Sequence, residues 1–225
     1  SAYVPADATG AILHIINTAA STEYKIAYRM NGSADDRYDY MYRDSHGWVI
    51  IGVDEDKICE VKIENTAIKV YLTGYTGTDA VFFVNAINVT PAGSAWQDVD
   101  ISANTGADTA LAAILDTIGA GNYIGYRKNG STGGNNCRTW NHYSLGTVVG
   151  CDGNEIFEFY NGGSIYLNGY FISNVYFFDD PILDGLAADD TYENIFDANM
   201  LSSDVGAFIW MNDQAFGPNK YSVRP

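Results

Sequence analysis

Apolar and polar residues alternate along this chain in short runs, and Gly, Asn, Asp or Ser closes most of them. A period of two marks a strand with one buried face. The runs predict strands at 11–17, 24–30, 37–43, 48–53, 58–63, 68–75 and 80–89. A second series follows at 112–117, 123–128, 137–142, 147–151, 156–160, 164–172 and 175–178. Helix is scarce. Residues 107–118 have helical propensity, but their likeness to 8–17 argues for a turn followed by a strand.

The second series restates the first. Tyr28-Arg29-Met30-Asn31-Gly32-Ser33 returns as Tyr126-Arg127-Lys128-Asn129-Gly130-Ser131, and Ile50-Ile51-Gly52-Val53-Asp54 as Val148-Val149-Gly150-Cys151-Asp152. Ile58-Cys59-Glu60-Val61 and Tyr71-Leu72-Thr73-Gly74-Tyr75 recur as Ile156-Phe157-Glu158-Phe159 and Tyr166-Leu167-Asn168-Gly169-Tyr170. The offset drifts from 98 to 95, a small domain's length rather than a solenoid period. Asn31-Gly32 and Asn129-Gly130 predict type I′ hairpins, in which both central residues take positive φ. The expected fold is all-β: two tandem antiparallel sandwiches of jelly-roll or immunoglobulin-like kind. The expected divisions are a first repeat at 1–93, a second at 94–188 and a partial third at 189–225.

The boundary between the copies carries an alternating strand, 94–102, anchored by Trp96. A relative of it stands at 191–196, and 206–210 resembles 112–115. Residues 1–9 align with the turn that follows the Trp96 strand, so the first copy is expected to lack its opening strand. A sandwich short of a strand exposes an apolar groove and unpaired backbone. The surplus C-terminal segment, with Tyr192, Ile195, Phe196, Phe208, Trp210 and Tyr221, is expected to fill that place together with the Trp96 type of anchor. It would do so within one chain or by entering another molecule. A third option is that the sequence is a piece of a longer repeat array.

Composition narrows the function. With 47% hydrophobic and 18% charged residues the chain folds, and its 17 tyrosines suit half-exposed strand faces. A net charge of −16 repels nucleic acid and favours solubility, cation uptake or display on an outer surface. No apolar run is long enough to insert in a membrane, and no leader is visible at the start. Cys59, Cys137 and Cys151 form no Cys-x-x-Cys pair. Cys59 and Cys151 sit in apolar runs and read as small hydrophobes, with a Cys137–Cys151 bridge as the other option.

Catalytic motifs are missing: His14, His46 and His142 neighbour no nucleophile signature, and there is no phosphate loop or zinc-protease motif. The expectation is a non-enzyme without a cofactor. Asp35, Asp36 and Asp39, beside a tyrosine-rich strand, are the one calcium candidate, and the second copy has lost these acids. Trp140, with Arg138 and Tyr143, is the candidate for stacking on a glycan, whereas Trp48 and Trp96 read as core anchors. Asn31, Asn88 and Asn129 stand in glycosylation sequons.

The recurring elements are Ala-Ile-Leu-x-x-Ile, Tyr-Arg-x-Asn-Gly-Ser, Trp-Val-Ile-Ile-Gly-Val-Asp, Tyr-Leu-x-Gly-Tyr and the linking Trp-Gln-Asp-Val-Asp-Ile-Ser. Together they resemble a repeat of virion structural proteins in tailed phages and related viruses, over most of 11–102 and more loosely over 112–178. The second copy departs by losing the tryptophan before Thr147 and the acidic loop. The resemblance implies a capsid-exterior, decoration or tail-associated role on a virion or extracellular surface. Its partners would be further copies or other lattice proteins. A receptor- or carbohydrate-binding module is the alternative.

Overall fold

The structure, a computed structural model, describes residues 4–119, 123–133, 136–138, 146–160 and 163–180. The described chain is nearly all β. The first series of strands is β1 Gly10–Asn17, β2 Tyr24–Met30, β3 Asp39–Met41, β4 Ser45–Gly52, β5 Cys59–Ile63 and β6 Ile68–Thr76. β7 Ala80–Asn88 and β8 Trp96–Asp100 follow, and then a single-turn helix, α1 Ser102–Thr105. The second series is β9 Ala112–Gly119, β10 Tyr123–Lys128, β11 Asn136–Arg138, β12 Thr147–Gly150, β13 Ile156–Tyr160 and β14 Gly163–Phe171. Among the described residues no helix is long and apolar enough to cross a membrane.

Four antiparallel sheets result, in the orders β4-β1-β6, β3-β2-β5, β12-β9-β14-β7 and β11-β10-β13-β8. The last two repeat the first two strand for strand and add one strand each. β7 lies outside β14, and β8 lies outside β13.

Alternation explains the cores. On β1, Ala11, Leu13 and Ile15 meet Val49 and Ile51 of β4, Ile68 of β6, Ile26 and Tyr28 of β2 and Met41 of β3. Each large apolar side chain buried this way contributes about 1.5–3 kcal/mol. β9 is buried on both faces. Ala113 and Leu115 enter a second core with Ile124, Tyr126, Phe157, Phe159, Ile165, Leu167 and Tyr170. Ala112 and Ile114 turn the other way, into a third cluster with Ile50, Ala80 and Phe171, against which Ile12 and Phe82 pack. This third cluster joins the two pairs of sheets.

Three details differ from the sequence reading. The strand expected at 37–43 shortens to β3; Arg37 before it makes ion pairs with Asp35 and Asp116, and Asp44 after it takes a positive φ in a turn. The Asn-Gly turns are not type I′: Gly32 and Gly130 take φ of 81° and 82°, while neither asparagine has positive φ. The bonds Ser33 N to Met30 O and Ser131 N to Lys128 O close type II turns, which need glycine at only one position. Finally, residues 175–178 join no ladder.

Candidate assembly edges

Matched hydrogen bonds set the two series in register. Arg29 donates to Glu60 at 2.6 Å and Arg127 to Glu158 at 2.7 Å. Asn31 donates to Asp54 and Asn129 to Asp152, so each recurrent asparagine ties its turn to the Asp-led turn after β4 or β12. Lys57 and Glu155, in those turns, share a φ of 63° and 64°. Val53 N bonds Thr9 O as Cys151 N bonds Leu111 O, which makes β1 the counterpart of β9 and His14 that of Asp116. The β7 region has a counterpart too. Asn85 accepts from Ser33 Oγ and Ala34 N, as Asp180 accepts from Ser131 Oγ and Thr132 N. Phe82 covers Gly52, and Phe177 covers Gly150.

Matched positions differ in burial at the outer edges. Leu167 and Tyr170 of β14 are 0% and 3% exposed beneath β7, while Leu72 and Tyr75 of β6 are 46% and 50% exposed. Phe159 of β13 is 2% exposed beside β8, while Val61 of β5 is 38% exposed. The sequence is similar at the paired places, but among the described residues no strand lies outside β5 or β6. Gly169 shows what the covering strand demands: a Cβ there would collide with the Val81 carbonyl oxygen of β7. At Gly74 a Cβ would meet only the side chain of Ile12.

The complementary surplus is at 175–180. In β7, Val81 and Phe83 pack onto the second core, and the Phe83 ring lies 5.8 Å from that of Tyr170. Their counterparts Tyr176 and Phe178 are 80% and 46% exposed. Val175 and Phe177 pack on the third cluster, and Lys128 pairs with Asp179 at 2.7 Å. One face of this segment is therefore seated and the other bare.

A buried polar cluster holds the two pairs of sheets together. Tyr28 donates to Asp116 at 2.7 Å, and its oxygen lies 3.5 Å from Asp39. Arg37 reaches Asp116 at 3.5 Å and covers the Tyr166 ring at 4.2 Å. Burial, then the Asp116 charge, pushes the Asp39 carboxyl well above the usual range, and Asp39 Oδ1 has no hydrogen-bond partner among the described residues. Burial likewise raises the Tyr28 phenol.

A ring row crosses the outer face of β6-β1-β4. His14 stacks on Trp48 at 4.2 Å with rings 6° from parallel, and Tyr71 lies on its other side at 6.2 Å. His46 Nδ1 is 3.2 Å from His14 Nε2. Burial and His46 together lower the His14 pKa. Trp48 is exposed rather than a core anchor, because its neighbours Val49 and Ile51 take the inward positions.

The residues singled out by sequence fall as follows. Trp96 anchors β8 on β13 inside this chain: its ring lies 4.0 Å from the Arg127 guanidinium and 5.4 Å from the Tyr160 ring. Asp35, Asp36 and Asp39 diverge, toward Arg37 and Ala86 N, toward exposed Lys62, and toward Tyr28. Among the described residues no three His, Cys, Asp or Glu groups are placed to hold a metal. Cys151 is a free thiol, pushed by burial up to about 12, and fills a core position. Arg138 ends β11. Trp140, Tyr143, Tyr192, Ile195, Phe196, Phe208, Trp210 and Tyr221 lie outside the described residues. Sequence reasoning missed Leu72, Tyr75 and the Tyr176–Phe178 face, although comparing the two copies position by position marks all of them. Comparison with protein-family models, curated proteins and solved structures returned no match.

Proposed function

We propose that the two pairs of sheets are two copies of one β-sandwich module, and that the protein is a non-enzymatic structural component that assembles through strand edges. The observation that carries this is the burial contrast at matched positions: Leu72, Tyr75 and Val61 are exposed where Leu167, Tyr170 and Phe159 are covered by β7 and β8. Apolar edges of this kind favour pairing with another chain. Among the described residues, the buried titratable groups that converge, Tyr28, Asp39 and Asp116, are shut between the modules and serve cohesion rather than turnover. A role on a virion or another outer surface accords with the motif resemblance and with the acidic charge. Light scattering across a concentration series tests the reading. The weight-average mass should rise well above one chain, and a constant single-chain mass would overturn it.

The ring row of Tyr71, His14 and Trp48 favours a second reading, a carbohydrate- or receptor-binding face. Aromatic platforms of this form stack on sugar rings. A glycan array on the wild-type chain and on Trp48→Ala tests it: binding that vanishes with the tryptophan supports it, and no binding by either removes it.

A further inference from the structure

Resting on the assembly reading, we infer that residues 175–180 of one copy add as a strand to the free edge of β6 in a second copy, in the register that β7 takes on β14. β7 pairs Ala80 with Phe171, Val81 with Tyr170 and Phe82 with Gly169. The matched positions then set Val175 opposite Thr76, Tyr176 opposite Tyr75 and Phe177 opposite Gly74 of the other chain. Tyr176 and Phe178 enter the groove lined by Leu72 and Tyr75, and Phe177 passes over Gly74 as Phe82 passes over Gly169.

Three observations select this occupant. The same strand-on-edge contact is already made once within the chain, by β7 on β14. The donor segment is presented on the scaffold that presents β7: Phe177 on Gly150 answers Phe82 on Gly52, and Asp180 at Ser131 answers Asn85 at Ser33. Gly74 keeps a glycine where, among the described residues, nothing brings a backbone close, as β7 does at Gly169. Reaching β6 of its own chain is geometrically unfavourable for the segment. It is pinned to the second module, which contacts the first along β4, the edge of that sheet opposite β6. Donation therefore runs head to tail, and a heterologous contact of this kind leaves a free β6 edge at one end and a free donor at the other, giving rings or filaments.

Mixed-chain cross-linking tests the register. In a background with Cys59, Cys137 and Cys151 replaced by alanine, one chain carries Thr76→Cys or Tyr75→Cys and the other carries Val175→Cys or Tyr176→Cys. Two adjacent pairs are used because neighbouring positions alternate between wide and close antiparallel pairs. Oxidation should yield a disulfide-linked heterodimer for a matched pair at least tenfold faster than for the misregistered pair Tyr71→Cys with Val175→Cys. In the chain with native cysteines, Gly74→Ala should keep its thermal transition yet weaken association at least tenfold, which protects the test against a cysteine background that fails to fold. Growth of mass without register-specific cross-linking, or with Gly74→Ala associating normally, would overturn this inference and leave the assembly reading standing. A mass fixed at one chain would overturn both.

Discussion

At the scale of single residues, the most demanding group is Asp39, whose buried carboxyl has no partner for one oxygen among the described residues and faces Asp116. Its pKa is raised in the fold, so the folded chain holds this proton to higher pH than the unfolded chain does. Its contribution to stability is therefore present below about pH 4 and is lost as pH rises through the folded value. Asp39→Asn keeps the shape and removes the charge. Urea unfolding should show the variant equal to wild type near pH 4 and more stable than wild type near pH 8. Equal pH dependence in the two chains would mean that Asp39 is ionised in the fold at no cost. The recurrent asparagines argue differently. Their repetition was legible, but the reason given for it by turn rules was not the operative one: Asn31 and Asn129 recur because each donates to a carboxylate, Asp54 or Asp152. The bond from Asn31, then that from the Ile58 amide, lowers the Asp54 pKa. A side chain's long-range partner leaves no mark in the local sequence, whereas glycine's need for positive φ does.

At the scale of elements, glycines on paired strands separate what the fold needs from what an assembly needs. Gly169→Ala drives a methyl into the β7 backbone and should cost about 1–3 kcal/mol in chemical denaturation of the isolated chain. Gly74→Ala meets only the movable end of Ile12 and should cost less than about 1 kcal/mol in the same measurement. Comparable losses at both positions would show that β6 is constrained within its own chain. The histidine pair gives a second test at this scale. His14 is held below its ordinary pKa, so the contribution of the row is present above about pH 6.5 and is lost as pH falls through the folded value. Two-dimensional NMR of the imidazoles should show His14 titrating below His46→Gln's His14, since His46 is one of the groups holding it down. Strand existence was well marked in the sequence because alternation reports burial directly. Which sheet a strand joins was not: β7 alternates whether it pairs with the first series or with β14. Only position-by-position comparison of the copies, with Leu72 bare and Leu167 buried, exposes the pairing with β14.

At the scale of the whole molecule, shape and charge oppose each other. The proposed head-to-tail strand addition would bring together chains that each carry a net charge of −16, so every contact would form against mutual repulsion. The edges offered are mainly apolar and backbone in character, with Leu72, Tyr75, Tyr176 and Phe178 supplying buried area that salt does not weaken. Raising ionic strength from about 10 mM to about 1 M shortens the screening length from about 30 Å to about 3 Å. It should therefore remove the repulsion and leave the attraction, increasing the association constant by at least tenfold in sedimentation equilibrium. A contact built on ion pairs would respond in the opposite sense and weaken with salt. Truncation provides the complementary measurement. A chain ending before Asp190 keeps 175–180 and should retain most of the association, whereas one ending at Asn174 should sediment as a single chain at both salt levels. If both truncated chains associate as the intact one does, the strands that cover β6 come from elsewhere. The sequence, with duplication as its own reference, placed the shortage at the first copy's opening strand and the surplus at 189–225, which lies outside the described residues, and it missed the β6 edge. It could not assign 175–180 the donor's part, because that depends on Phe177 and Asp180 being seated on one face while Tyr176 and Phe178 are bare on the other.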